Sequence, residues 1–193
     1  MNKPKRKGTA AESAVVAYLN QNGFRYAERL ALQGGKDRGD ITGIPGIVVE
    51  VKAEQQYALS GWLSELEVEI ENAKADHGFV AAKPRMVGVT RTGDWYAITT
   101  AVGFEQILRA VCTEAGEWLG KLWIQDMPGH AINRDLARYM KLAHENANLG
   151  GCTHSCVRIT PKSVKDPNMH YVVTTLRQMS DLLVRAGYGR RDV

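Results

Sequence analysis

Apolar residues recur along the chain in two periods, and the alternation between them outlines the elements. Ala11, Ala14, Val15, Tyr18 and Leu19 keep the i, i+3, i+4, i+7 spacing of a helix face, and Thr9 with Glu12 forms a T-x-x-E capping box at its start. Asn22 and Gly23 supply the stop. A short strand is expected over 24–32, a polar glycine-rich loop over 34–39, and a strand end with a turn over 41–46, where Pro45 sits. Period two then takes over in 47–53. Val48, Glu50 and Lys52 share one face there, and Ile47, Val49, Val51 and Ala53 share the other. A helix follows over 59–75 with Leu63, Leu66 and Ile70 inward, then strands over 79–82 and 95–99 and a helix over 104–111.

This order predicts an α/β domain over residues 1–111, a mixed β-sheet flanked by helices. Residues 112–193 read as a C-terminal α+β extension of unassigned role. It holds a helical pair over 114–123 and 134–146, broken at Pro128 and Gly129, and then a hairpin and helix.

A weak internal repeat links the two parts. Tyr96-Ala97-Ile98-Thr99-Thr100 precedes Ile107 and Leu108, and Tyr171-Val172-Val173-Thr174-Thr175 precedes Leu182 and Leu183 at the same offsets. Each copy has a candidate strand before it, 86–90 in one case and 156–160 in the other. Two copies are compatible with a partial duplication and equally with coincidence among common strand residues.

Composition changes little in this picture. Hydrophobic residues make up 44% of the 193 and charged residues 24%, the balance of a soluble globular protein. Lys3, Lys5, Arg6 and Lys7 open the chain and Arg185, Arg190 and Arg191 close it. Such ends suit phosphate backbones or serve simply as solvated tails. No apolar run has the length of a signal peptide or a membrane span, so no membrane partner is expected. Three cysteines do not make a disulfide framework, which points to a reducing, cytoplasmic setting.

Chemistry concentrates in 47–53. A carboxylate and an ammonium emerge together from a strand apolar enough to lie inside a sheet, where charge is costly unless it is paired or binds a metal. Asp40 lies just upstream, placed so that a neighbouring strand can bring it to Glu50. Two carboxylates beside a lysine suit metal-assisted phosphodiester hydrolysis. An ion pair between Glu50 and Lys52 on an edge strand, with Asp40 a mere turn residue, would leave the same pattern.

Gly39-Asp40, nine intervening residues and Glu50-Val51-Lys52 resemble the motif of the PD-(D/E)XK nuclease superfamily. The upstream Lys7-Gly8-Thr9-Ala10-Ala11-Glu12, with its helix and Asn22-Gly23-Phe24, resembles the opening of archaeal-type and phage Holliday junction resolvases. The resemblance spans approximately residues 5–100. It implies a restriction-endonuclease-like sheet and a Mg²⁺ site, with Mn²⁺ able to substitute, held by Glu12, Asp40 and Glu50, and Lys52 as the fourth catalytic residue. It further implies a homodimer that nicks two opposing strands of branched four-way DNA, with Lys5, Arg6, Lys7, Arg29, Lys36 and Arg38 as candidate phosphate contacts. Glycine at 39 departs from the motif's proline. Two alternatives stay open: a related nuclease acting on linear DNA, and a catalytically idle DNA-binding protein.

Cys152-x-His154-x-Cys156 is a candidate Zn²⁺ site, although its spacing is not that of a common finger and it lacks an assigned fourth ligand. On a strand the three would share one face, which equally fits a half-buried sheet with small core cysteines. Trp118, Trp123 and Tyr139 read as packing residues.

Overall fold

The computed structural model describes residues 3–30, 36–115, 121–162 and 164–189; the side chains of 3–7 and 113–115 lie outside that description. One eight-stranded mixed sheet with helices on both faces forms the architecture. The chain runs α1 (Lys3–Gln21), β1 (Glu28–Arg29), β2 (Ile41–Thr42), β3 (Ile47–Lys52), α2 (Leu59–Ala73), β4 (His77–Ala82), β5 (Tyr96–Thr100), α3 (Ala101–Ala115), β6 (Leu122–Pro128), α4 (Ile132–Leu149), β7 (His154–Thr160), β8 (Tyr171–Thr175) and α5 (Leu176–Arg185). Across the sheet the order is β1-β2-β3-β4-β5-β8-β7-β6, so strands from both sides of residue 111 join one sheet.

Period-two alternation in β3 sorts its side chains between two cores. Ile47 and Val49 pack with α1, α3 and α5, through Val15, Leu19, Phe104, Ile107, Leu176 and Leu182 among others. Val48 packs on the opposite face with Leu59, Trp62, Leu63 and Leu66 of α2 and with Leu136 and Ala143 of α4. Glu50 and Lys52 therefore emerge on the α2 side.

Four expectations need correction. Helix α1 begins at Lys3 rather than at a Thr9 cap. Lysine and arginine are good helix formers and Pro4 is tolerated in a first turn, so the basic lead-in continues the helix backwards. Of the strand expected over 24–32, the described residues show Glu28–Arg29 only, because the chain turns at 24–27; 31 and 32 lie outside the described residues. No strand forms over 86–90: Met86 takes a positive φ of 61° and Val89–Asp94 winds as a 3₁₀ turn. Finally, Leu122 and Trp123 belong to strand β6, not to a helix over 114–123.

The repeat is expressed as a near two-fold arrangement. β5 and β8 pair antiparallel about Ile98↔Val173, with Tyr96 opposite Thr175 and Thr100 opposite Tyr171. On either side come β4 and β7, each antiparallel to its inner neighbour, and then β3 and β6, each parallel to its own. Both halves thus have the order strand, helix, strand, strand, helix.

Candidate active site

Asp40 is placed by backbone before its side chain is considered. Its N–H donates to Val49 O and its C=O accepts from Leu30 N–H, which fixes it between β1 and β3. Gly39 makes that approach possible. Its φ is +86°, and a Cβ there would stand 2.9 Å from Val48 Cγ1 and 3.0 Å from Val49 O. Proline, locked near φ −65°, cannot take this conformation. The departure from the motif's proline is a backbone requirement of this chain.

The Asp40 carboxylate accepts from the Val51 backbone N–H at 2.8 Å and lies beside Glu50. Burial raises the Asp40 pKa and nearby Glu12 adds to the rise, against the lowering effect of the Val51 N–H. For Glu50, burial and then the Asp40 charge push the pKa up to about 8. Lys52 Nζ lies 2.8 Å from Glu50 Oε1 and 2.8 Å from Glu65 Oε2. Burial pulls the Lys52 pKa down, but the two carboxylates outweigh it and the pKa is raised. Lys52 therefore stays an ammonium at neutral pH, a donor and not a proton acceptor.

Helix α2 brings a residue that the spacing argument missed. Glu69 lies on the buried stripe with Leu59, Trp62, Leu63 and Leu66, and its Oε2 is buried without a hydrogen-bond partner. Burial, with Asp37 next, pushes its pKa up to about 7. A glutamate three residues beyond Leu66 on an apolar stripe was the available signal.

The remaining candidates are scattered. Glu12 is turned toward Arg29, with Arg29 Nη2 2.6 Å from Glu12 Oε2. Lys36 and Arg38 are exposed in the coil before Asp40, and Arg38 edges a cleft of about 400 Å³ lined also by Ile41, Ile47 and Ala73. Lys5, Arg6 and Lys7 lie in α1, but their side chains fall outside the described residues. So do Trp118 and the tail arginines 190 and 191. Trp123 and Tyr139 pack against the α2–α4 core.

The Cys152–Cys156 segment is engaged in other contacts. His154 Nε2 stands 2.9 Å from Asp181 Oδ2 on α5, and Cys152 Sγ faces Gly150 O at 3.9 Å. Cys156 is a core residue whose thiol burial pushes up to about 12.

Among the described residues no three His, Cys, Asp or Glu side chains converge tightly enough to hold an ion as they stand. The Asp40–Glu50 pair is nevertheless chemically matched to a hard divalent cation. The partly buried Asp40 repels the buried Glu50, the nearby Glu69 oxygen has no hydrogen-bond partner, and the Lys52 ammonium lies directly against Glu50. Comparison with protein-family models, with curated proteins and with solved structures finds no match. No helix among the described residues is long and apolar enough to cross a membrane.

Proposed function

We propose that the protein is a divalent-metal-dependent DNA endonuclease of PD-(D/E)XK type, acting on branched four-way DNA. The observation that carries this reading is the juxtaposition of Asp40 and Glu50 with the Lys52 ammonium, half-buried at one end of an apolar strand. Asp40 and Glu50 would hold Mg²⁺ or Mn²⁺, with Glu12 from α1 and Glu69 from α2 bordering them. The ion, when bound, supplies Lewis-acid polarisation of the phosphoryl group and acidifies a water. The chain's own groups do the rest. Val51 N–H orients the Asp40 carboxylate. Lys52 places a fixed positive charge where negative charge grows on the phosphate oxygens. Glu65 holds the Lys52 ammonium from the solvent side.

Arg29, Lys36 and Arg38 lie on the segment leading into Asp40 and are offered as phosphate contacts, with Lys5, Arg6 and Lys7 as further candidates. Action as a homodimer in the cytoplasm belongs to the same proposal. The test is parallel incubation with Mg²⁺ on labelled four-way junctions, Y-forks and linear duplex. Nicks confined to the branched substrate support the reading. Equal cutting of linear duplex removes the junction preference and keeps the nuclease, and no cutting of any substrate removes the nuclease.

A further inference from the structure

The two halves of the sheet match in detail as well as in order. Thr99 Oγ1 donates to Gly78 O at 3.0 Å, and its counterpart Thr174 Oγ1 donates to Ser155 O at 2.9 Å. Ala101 N donates to His170 O and, reciprocally, Leu176 N donates to Trp95 O, both at 2.7 Å. Thr100 Oγ1 accepts from Gly103 N as Thr175 Oγ1 accepts from Gln178 N. Phe104, Ile107 and Val111 of α3 are buried as Met179 and Leu182 of α5 and Ala186 at its C-terminal end are. Coincidence among strand residues does not reproduce side-chain-to-backbone bonds.

The same correspondence maps the site. Register runs Glu50↔Val80 and Val80↔Ile98 on one side, and Gln125↔Val157 and Val157↔Val173 on the other. Since Ile98 pairs with Val173, Gln125 occupies the place of Glu50 and Met127 that of Lys52. Counting back from the next strand, at His77 and His154, puts Asn146 of α4 in the place of Glu69. Asn146 Nδ2 donates to Gln125 Oε1 at 3.4 Å. Two carboxylates and an ammonium in one half thus become two amides and a thioether in the other.

Surface charge inverts along with the centre. α2 carries Glu65, Glu67, Glu69 and Glu71 and no basic residue. α4, on the same face of the sheet, exposes Arg134, Arg138 and Lys141 at i, i+4, i+7; Arg134 pairs with Asp135 at 2.8 Å and Lys141 with Glu145 at 3.6 Å, and the helix stays net positive. Phosphate is repelled by the first helix and attracted by the second.

We infer that residues 122–185 are a neutralised second copy of the catalytic unit, and that the basic face of α4 holds a DNA phosphate backbone while the first copy does the cutting. The inference rests on the nuclease reading of the first copy, and it assigns one metal centre to each chain. The cationic face and the neutral counterpart belong together, because a centre with amides in place of the Glu50 and Glu69 carboxylates can approach phosphate without an ion.

The experiment uses the full chain in two measurements. Mn²⁺ titration followed by electron paramagnetic resonance should count one ion per chain, and none in Glu50→Gln. Fluorescence anisotropy of the Glu50→Gln protein on a labelled four-way junction should show Arg134→Ala/Arg138→Ala/Lys141→Ala raising Kd tenfold or more. Removing Arg91, Arg109 and Arg177 from the opposite face should raise it less than threefold. Circular dichroism and Tm should show both triple variants folded. Two ions per chain, an ion retained by Glu50→Gln, or equal losses from the two triple variants would overturn the inference. DNA binding that depends on α4 without any bound ion would sink the nuclease reading and spare the holding role. Bound ion and cleavage with no α4 dependence would do the reverse.

Discussion

The two outer ends of the same sheet have been treated in opposite ways. On one side, β3 is continued outward by β2 and β1 and packs against α1, and Asp40 and Glu69 gather about its Glu50 and Lys52. On the other side, β6 is the last strand of the sheet among the described residues, Ile124 is 49% exposed, and Gln125, Met127 and Asn146 stand in the equivalent places. The scaffold is shared, so the difference isolates what the proposed chemistry would need. Burial first, and then neighbouring like charges, raise the Asp40, Glu50 and Glu69 pKa values, a cost that the amide centre avoids.

The largest expected effect separates these two ends directly. Asp40→Asn should lower the Mg²⁺-dependent cleavage rate by roughly 10³-fold or more, comparing with losses of 10²–10³ for a single stabilising donor. Gln125→Ala should leave it within about twofold, as expected for a site outside the reaction. Single-turnover cleavage measures both. Next comes Lys52→Ala, expected to lower kcat by on the order of 10²-fold with KM little changed, because its charge matters most as the phosphate becomes more negative.

A third contrast concerns pH. Burial and then the Asp40 charge push the Glu50 pKa up to about 8 in the folded chain, above the ordinary glutamate value of 4.5 that applies once it is unfolded. Between those values the folded state binds more protons, so stability of the metal-free protein should fall as pH rises through that window. Tm measured from pH 5 to pH 8 in chelator should decline in the parent and decline less in Glu50→Gln. Equal slopes would show that Glu50 titrates normally. A smaller effect is expected at Glu69. Glu69→Gln should weaken Mn²⁺ binding by about tenfold, the usual loss for a residue that supports a metal's ligands, whereas Asn146→Ala should not change it. Isothermal titration calorimetry reads both.

Legibility in the sequence followed the range of the forces involved. β3 was readable because alternation over seven residues is a local signal, and Val48 packs with α2 while Ile47 and Val49 pack in the opposite core, as that alternation required. The inner face of α2 at Leu63 and Leu66 was readable for the same reason. β6 was not, because Leu122, Ile124 and Asp126 share a face that is only partly covered, so no clean alternation is imposed. Its strand state depends on parallel pairing with β7, which lies beyond an 18-residue helix. The T-x-x-E at Thr9 misled because a capping pattern inside a longer helix looks the same as one at its start. At the site, Asp40, Glu50 and Lys52 could be named from order and spacing, but their mutual approach depends on the left-handed Gly39 and on contacts across β2. Glu12 shows the limit of that method: it reaches the neighbourhood of Asp40 but is held by Arg29.

The central claim is most directly tested by nicking of a four-way junction at saturating Mg²⁺, with wild-type chain and Glu50→Gln side by side. The account predicts symmetry-related nicks with the wild type and none above background with Glu50→Gln, although both proteins bind the junction. Cleavage by Glu50→Gln at the wild-type rate would contradict it.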